Sequence, residues 1–377
     1  MKKTLKILGI RGIPANHGGF ETFAEHLSIY LARHGWEIIV YCQDDNGGGI
    51  YEDDWNGIKR IHIPVKQKGT FGTIVFDYIS TIHAVKEPTL VLTLGYNTAV
   101  FNVWYLFKGV TNIINMDGIE WRRKKWPWAA KIWFYINEKI AVWCGNHLVA
   151  DHPEINKHLL SRTTEKKITT IAYGAHRIDS ADVSCLMQYG LIPNMYAIII
   201  ARAEPENSIL EMVRAWSRKP RGRKLVVLGK YTEDNSYHRL VLNCCSEEVL
   251  FLGAIYDTNV VNALRFYSYF YLHGHQVGGT NPSLVEALGA GNAVLAHDNR
   301  FNRWVAGTGA RYFSDENEFS DNLEEILNDE KVVSSMRSSS LQRHSEAFTW
   351  TKILESYEVL LDAHLPASTN LENMRRA

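Results

Sequence analysis

Short apolar runs alternate with stretches whose apolar residues recur every three or four positions, and this alternation is played out twice along the chain. Leu5–Ile10 reads as a buried strand, and after the loop RGIPANHGG the side chains of Phe20, Phe23, Ala24, Leu27 and Leu31 share one helix face. Gly35 ends that helix and Glu37–Cys42 begins the next strand. Further strands are expected at Ile58–Ile63, Thr89–Leu94, Asn112–Asn115 and His147–Ala150, with helical segments between most of them. Strands and helices alternating at this pitch predict a parallel sheet covered on both faces.

Another strand, Lys166–Ile171, leads into Tyr173-Gly174-Ala175-His176 and a polar, weakly patterned stretch to about Asn194, the best candidate for an interdomain connection. The alternation then restarts. Strands are expected at Tyr196–Ala201, Lys224–Leu228, Val249–Leu252 and Tyr269–Leu272, and helices at Ser208–Trp216 and Thr258–Phe266. The tail Asp315–Leu365 reads as largely helical, its last helix near Thr351–Ala363 returning to brace the first domain, and Pro366–Ala377 reads as a frayed end. The division is therefore 1–180, 181–350 and a 351–377 helix and tail. Two successive α/β units imply a cleft between them, and ligands of such sheets sit at the carboxyl ends of strands.

Composition narrows the function classes. With 377 residues, two or three domains are expected at roughly 150 residues each. Lys plus Arg and Asp plus Glu both total 41, so no overall field favours nucleic acid or another polyanion. The five cysteines are odd in number and lack metal-ligand spacing, which points to a reduced, cytoplasmic setting. Lys6 and Arg11 interrupt the first apolar run and no cleavage site follows, so it reads as a strand rather than a signal peptide. No apolar run reaches the roughly 18 residues expected of a spanning helix.

The richest chemistry lies from His273 to Asn299. A glycine turn at Gly278-Gly279 precedes Thr280-Asn281-Pro282-Ser283, where Asn281 is a favoured N-cap and Pro282 suits the first helical position. Such a helix start offers backbone N–H groups and partial positive charge to a phosphate. Glu286, one turn further, is placed to accept hydroxyl hydrogen bonds. Gly289, Ala290 and Gly291 then turn into strand Ala293–Ala296. An ordinary strand–loop–helix–strand unit would carry the same pattern. In the first domain Gly18 and Gly19 would let a ligand approach backbone at a helix start, although the loop is neither G-x-G-x-x-G nor a Walker sequence and a plain turn stays open. Arg202, at the end of strand Tyr196–Ala201, has the planar fork that suits a diphosphate. Lys230 occupies the equivalent end of the next strand, where a solvated lysine is the simpler reading.

Taken together these features resemble the nucleotide-sugar glycosyltransferases of the GT-B fold, in the large retaining family four. The double-glycine loop is matched by Gly18-Gly19, the G-R-x-x-x-E-K segment by Ala201-Arg202 through Glu206-Asn207, and the second acid of E-x7-E by Glu286. RGIPANHGGFETFAEHL, NMDGIEWRRKKW and GHQVGGTNPSLVEAL further resemble a bacterial subgroup that includes rhamnosyltransferases of surface-polysaccharide assembly. Two departures stand out: Gly278 replaces the first acid, and Asn207 replaces the lysine. Where many relatives carry a histidine that contacts the donor sugar, this chain has Met116-Asp117. Asp117 could position the acceptor or act as a base, or it could simply form an Asx turn closed by Gly118.

The resemblance implies two Rossmann-like α/β/α domains facing a central cleft, a C-terminal helix returning to the first, and retaining transfer to a glycan or lipid-linked oligosaccharide. dTDP-L-rhamnose is the first donor expected and UDP-glucose or another UDP-hexose the second. Arg202 and Thr280–Ser283 would stabilise the diphosphate, Gly279 would let the backbone approach it, and Glu286 would hold ribose. No cofactor is expected, and no metal. Asp44-Asp45 and Asp53-Asp54 are not D-x-D motifs at a strand end and read as solvated acids in a Gly/Asn-rich loop. Trp121-Arg122-Arg123-Lys124-Lys125-Trp126, continuing through Trp128, Trp133, Phe134, Tyr135 and Trp143, pairs indoles with cations as a bilayer interface does. A domain helix with aromatic core positions and a basic loop would give the same pattern. Peripheral contact with the inner face of a plasma membrane is thus expected, and nucleic acid is not. Competing readings are a sugar-nucleotide epimerase of the same fold and a degenerate, non-catalytic glycan-binding scaffold.

Overall fold

The computed structural model describes residues 3–366 apart from His17 and Asn46, so the tail expected to fray lies, from residue 367 on, outside the described residues. The chain forms two compact units: residues up to Ala172 with the chain from Thr351 onward, and Tyr173–Trp350.

The first unit is built on β1 (Thr4–Leu8), β2 (Glu37–Asp44), β3 (Tyr51–Trp55), β4 (Ile58–Pro64), β5 (Leu90–Leu94), β6 (Asn112–Asn115), β7 (His147–Ala150) and β8 (Ile168–Thr170). They stand in the order β3-β4-β2-β1-β5-β6-β7-β8. Every pairing is parallel except β3 with β4. The central strands β1, β2, β5 and β7 are mostly buried, apolar runs because helices cover both faces. Lys6, buried within β1, is tolerated because its ammonium donates to the carbonyls of Ala84 (3.0 Å) and Glu87 (2.8 Å) at the C-terminal end of helix Gly69–Ala84. That end carries partial negative charge.

β3 corrects the sequence reading of Asp53-Asp54 as solvated loop acids. A polar edge strand, YEDDW, pairs antiparallel with β4 so that Asp53 faces Arg60. Its carboxylate accepts from Arg60 Nε (2.7 Å) and contacts His62 Nε2 (3.0 Å). The Arg60 hydrogen bond holds the Asp53 carboxyl below its usual range. Asp44 closes β2 and accepts from the Tyr51 hydroxyl at 3.1 Å.

The C-terminal helix Trp350–Ala363 packs in this first unit from Thr351 on. The Tyr357 ring lies 4.6 Å from that of Phe23 and its hydroxyl accepts from Asn115 Nδ2 at 2.8 Å. Tyr30 donates to Glu358 at 2.8 Å, and Lys3 pairs with Asp362.

The second unit contains β9 (Tyr196–Ile200), β10 (Lys224–Leu228), β11 (Val249–Gly253), β12 (Phe270–His273), β13 (Val294–His297) and β14 (Arg311–Phe313), all parallel, in the order β11-β10-β9-β12-β13-β14. Alternate residues of β9 enter different cores: Ala197 and Ile199 join Ile209, Val213 and Trp216, whereas Tyr196 and Ile198 join Leu186, Leu264 and Ala287. Both faces are therefore buried.

One ionisable group makes the first unit pH-sensitive. Asp77, on helix Gly69–Ala84, accepts from Thr98 Oγ1 at 2.7 Å, and burial pushes its carboxyl up to about 7. The folded chain keeps that proton over a range in which the unfolded chain, with an ordinary aspartate near pH 4, has lost it. Stability from this group is therefore present at low pH and is lost as pH rises towards 7. Asp77→Asn should flatten the dependence of the melting midpoint on pH between about 5 and 8 and raise it relative to wild type at the upper end. Parallel curves for the two proteins would refute this.

Candidate active site

In the second unit the chain runs outward from β9 through β10 to β11 and then returns to lay β12 on the other side of β9, with both Val226 and Tyr271 beside Ile198. At such a reversal the loops following the two central strands diverge and leave a ligand site at their carboxyl ends. The loops in question are residues 201–208 and 274–281, the two segments that carry Arg202 and Gly279–Asn281.

The first loop folds around a carbonyl. Asn207 Nδ2 and the Glu204 amide both donate to Arg202 O, at 2.8 and 2.7 Å. Asn207, where the resembled family has a lysine, thus shapes the turn and brings no charge. The Arg202 side chain is exposed, and among the described residues its guanidinium has no hydrogen-bond or ion-pair partner. Ser208, at φ +50°, donates from Oγ to Gly274 O at 2.9 Å, and the Gln276 amide donates to Glu206 O at 2.9 Å. These bonds knit the two loops together. Gly274 is required there, since a Cβ would fall 2.0 Å from Asn207 O. Lys230 is also brought to this end of the sheet: Gly229 lies so close to β9 that a Cβ on it would be 2.5 Å from Ala201 O. The Lys230 side chain is exposed.

The second loop corrects one expectation. Asn281 does cap helix Pro282–Gly289, accepting from the Ser283 amide at 3.0 Å and from Ser283 Oγ at 2.9 Å, with Pro282 at the start. Because Leu284 and Val285 also donate to Asn281 O, and Pro282 has no N–H, the helix start has no spare amides to offer a phosphate. The loop does. Among the described residues the amides of Gly278, Gly279 and Asn281 donate to no protein group. Ser283 is further tied down by the Tyr271 hydroxyl, 3.1 Å from its Oγ. Gly278 has φ +132°, and a Cβ there would meet nothing within 4 Å. The backbone at the place of the resembled family's first acid thus borders open space among the described residues.

Glu286 is half-buried on the helix and pairs with Arg265 Nη2 from helix Thr258–Phe266. Arg265 is buried, and nothing in the sequence distinguished it from an ordinary helix-end arginine. The loop after β13 closes the third side: Asn299 Nδ2 and Asn302 Nδ2 donate to His275 O at 2.9 and 2.8 Å. His273, at the end of β12, is buried with both ring nitrogens lacking hydrogen-bond partners among the described residues. It is stacked 4.4 Å from the His275 ring, and burial holds its pKa well below the usual histidine value, so the imidazole is neutral near pH 7. A cavity of ≈ 480 Å³ lies elsewhere in the unit, between Gly307–Gly309 and helix Glu330–Ala347, and takes in none of these residues.

The first unit has its own reversal, between β1 and β5. After β1, Gly12 at φ +130° approaches Cys42 too closely for a side chain, and the Arg11 amide donates to Glu21 Oε1 at 3.2 Å. Gly18 precedes helix Gly19–Arg33, which has no side-chain cap. Glu21 in the same turn makes this helix start better suited to a neutral hydroxyl than to an anion. Asp117 follows β6 with φ +51°, a conformation aspartate tolerates better than most residues. The Asn115 side chain helps to hold this turn: its Oδ1 accepts from the Asp117 amide at 3.0 Å. Tyr96 fixes the next residues, donating to Gly118 O and accepting from the Glu120 amide.

The basic indole stretch makes several hydrogen bonds of its own. Trp121 Nε1 donates to Glu138 (2.7 Å), Trp126 Nε1 to Glu120 (2.9 Å) and Arg123 to Glu120 (2.8 Å). The Trp121 bond ties the loop to helix Trp128–Cys144, and the two bonds to Glu120 hold the loop together internally. Arg122 and Lys124 are exposed, and Lys125 lies over the Trp126 ring.

Residues 193–343 match the family model for glycosyl transferases group 1, and residues 2–176 match a domain of unknown function, DUF1972. No curated protein matches the chain in sequence. Among solved structures, sucrose-phosphate synthase from Thermosynechococcus elongatus superposes with a TM-score of 0.77 at 15% identity, covering 96% of this chain and 99% of that one. HepE from Anabaena in complex with UDP-glucose gives 0.75 at 12% identity, over 96% and 99%. An alpha,alpha-trehalose 6-phosphate synthase from Burkholderia multivorans gives 0.72 at 12% identity, over 100% and 99%.

Proposed function

We propose that this chain, a glycosyltransferase of the GT-B fold, moves a sugar from a nucleoside diphosphate to a glycan or lipid-linked oligosaccharide, with retention, in the assembly of a bacterial surface polysaccharide. The observation that carries the reading is the placing, at the strand-order reversal of the second unit, of an exposed Arg202 guanidinium and of loop amides at Gly278, Gly279 and Asn281 that have no partners among the described residues. Charge develops on the diphosphate as the sugar–oxygen bond breaks. Arg202 meets it with two parallel N–H groups, the loop amides add fixed dipoles, and Lys230 supplies a second cation nearby. Glu286, held by Arg265, accepts hydrogen bonds from ribose hydroxyls. Thr280 and Ser283 line the same loop and helix start.

In the first unit the helix start at Gly18-Gly19 accepts sugar hydroxyls. Asp117 positions the acceptor hydroxyl or takes its proton as the new bond forms. HepE, solved with UDP-glucose, supports a nucleoside diphosphate sugar as the donor class. dTDP-L-rhamnose is the first donor proposed, and a UDP-hexose the second.

The test is incubation of the purified chain with a panel of nucleotide sugars and a short lipid-linked saccharide, with mass spectrometry of both. Extension of the saccharide by one sugar is expected, its anomeric configuration the same as the donor's. A donor isomerised without acceptor, or bound without turnover, would overturn the proposal.

A further inference from the structure

We infer that the outer face of helix Trp128–Cys144, together with the neighbouring helix Val103–Phe107, is a seat for an anionic lipid bilayer. The first helix carries large apolar side chains on its solvent side as well as on its buried side. Its exposed positions include Trp128, Ile132, Ile136 and Trp143, exposed by 76, 50, 48 and 60%. Spacings of four, four and seven residues place them in one stripe. Its inward face carries Phe134, Ala141, Val142 and Cys144 together with Asn137 and Glu138, all buried. A helix on the surface of a water-soluble domain is apolar on that side and polar on the other, so the apolar outer stripe calls for a partner of its own. The short helix Val103–Phe107 contacts it and adds Phe107, 73% exposed, with Trp104 and Leu106.

Charge identifies the partner. From Ile119 to Cys144 the only acids are Glu120 and Glu138, against six Lys and Arg residues. Both acids are buried and already engaged, Glu120 by Arg123 and Trp126, Glu138 by Trp121, His158 and Arg162. What the surface shows is therefore aromatic and aliphatic groups beside Lys108, Arg122, Lys124 and Lys139, all exposed. Indoles favour the headgroup depth of a bilayer and the cations favour its anionic lipids. A second copy of this chain would set like charges against one another, so it fits less well. No helix among the described residues is long and apolar enough to cross a membrane, so the chain would lie on the surface. Of the residues in the sequence stretch, Trp128 and Trp143 belong to this exposed stripe, and Ile132 and Ile136 are added to them.

The inference does not rest on the transferase reading, and its test needs no activity. The full chain is sedimented with vesicles of phosphatidylcholine alone and with vesicles containing about a third phosphatidylglycerol. Wild type should pellet with the anionic vesicles and be released by salt. A Trp128→Ser, Ile136→Ser, Trp143→Ser variant should bind roughly tenfold or more weakly with an unchanged melting midpoint, since all three side chains are exposed. Wild type remaining in the supernatant, or the variant pelleting as well as wild type, would overturn the inference. So would a concentration-dependent dimer, without lipid, that the same variant abolishes, because the face would then belong to a second copy.

Discussion

Arg202→Ala should lower turnover with a saturating nucleotide-sugar donor by roughly 10²–10³-fold, the loss typical when a preorganised group that meets developing negative charge is removed. The fold should not notice. The Arg202 side chain is exposed and makes no ion pair among the described residues, so the melting midpoint should stay within the scatter of a neutral surface substitution. Arg202→Lys should fall between the two: a point charge remains, but not the fork that binds two oxygens at once. Asn207 cannot compensate, because its amide is committed to the Arg202 carbonyl. Steady-state kinetics of the three proteins decide the matter. Near-normal turnover in Arg202→Ala would take Arg202 out of the diphosphate site.

Glu286 makes a different kind of prediction, because its carboxylate has two tasks. It pairs with buried Arg265, and in the proposed site it also accepts from ribose. Glu286→Ala should weaken donor binding about 10- to 100-fold, the usual worth of a hydrogen bond to a charged group. It should also destabilise the fold by about 1–2 kcal/mol. Orphaning a buried charge costs more than that, but water reaches the Glu286 side and reduces the loss. Arg265→Met separates the two tasks. It removes the clamp and leaves the carboxylate, so the donor KM should rise while kcat changes little. Equal stability of Glu286→Ala and wild type in a urea titration would mean that the Arg265 pair contributes nothing.

Much of this architecture was readable before any coordinates, for a physical reason. Strands such as Leu90–Leu94 and Tyr196–Ile200 are short apolar runs buried on both faces, and the pattern reports burial. The same logic hid β3: YEDDW lies at the sheet edge and is held by Asp53 with Arg60 and His62, so it has no apolar signature. The Asn281-Pro282 helix start was visible in three residues. That its amides would be used up by the cap and the first turn depends on backbone geometry that no composition rule supplies. Arg265 lies 21 positions before Glu286, and only the packing of two helices makes them partners. Likewise only the folded chain shows that Glu138 and Glu120 take the indole N–H groups of Trp121 and Trp126.

The central claim is that a nucleoside diphosphate is held where β9 and β12 part. Hydrogen exchange of the full chain, followed by mass spectrometry with and without saturating UDP or dTDP, tests it most directly. The account predicts slowed exchange in peptides spanning residues 201–208 and 274–286, where the loop amides of Gly278, Gly279 and Asn281 gain a partner. Binding of neither nucleotide, or saturating binding that leaves both segments exchanging at their free rates, would contradict it.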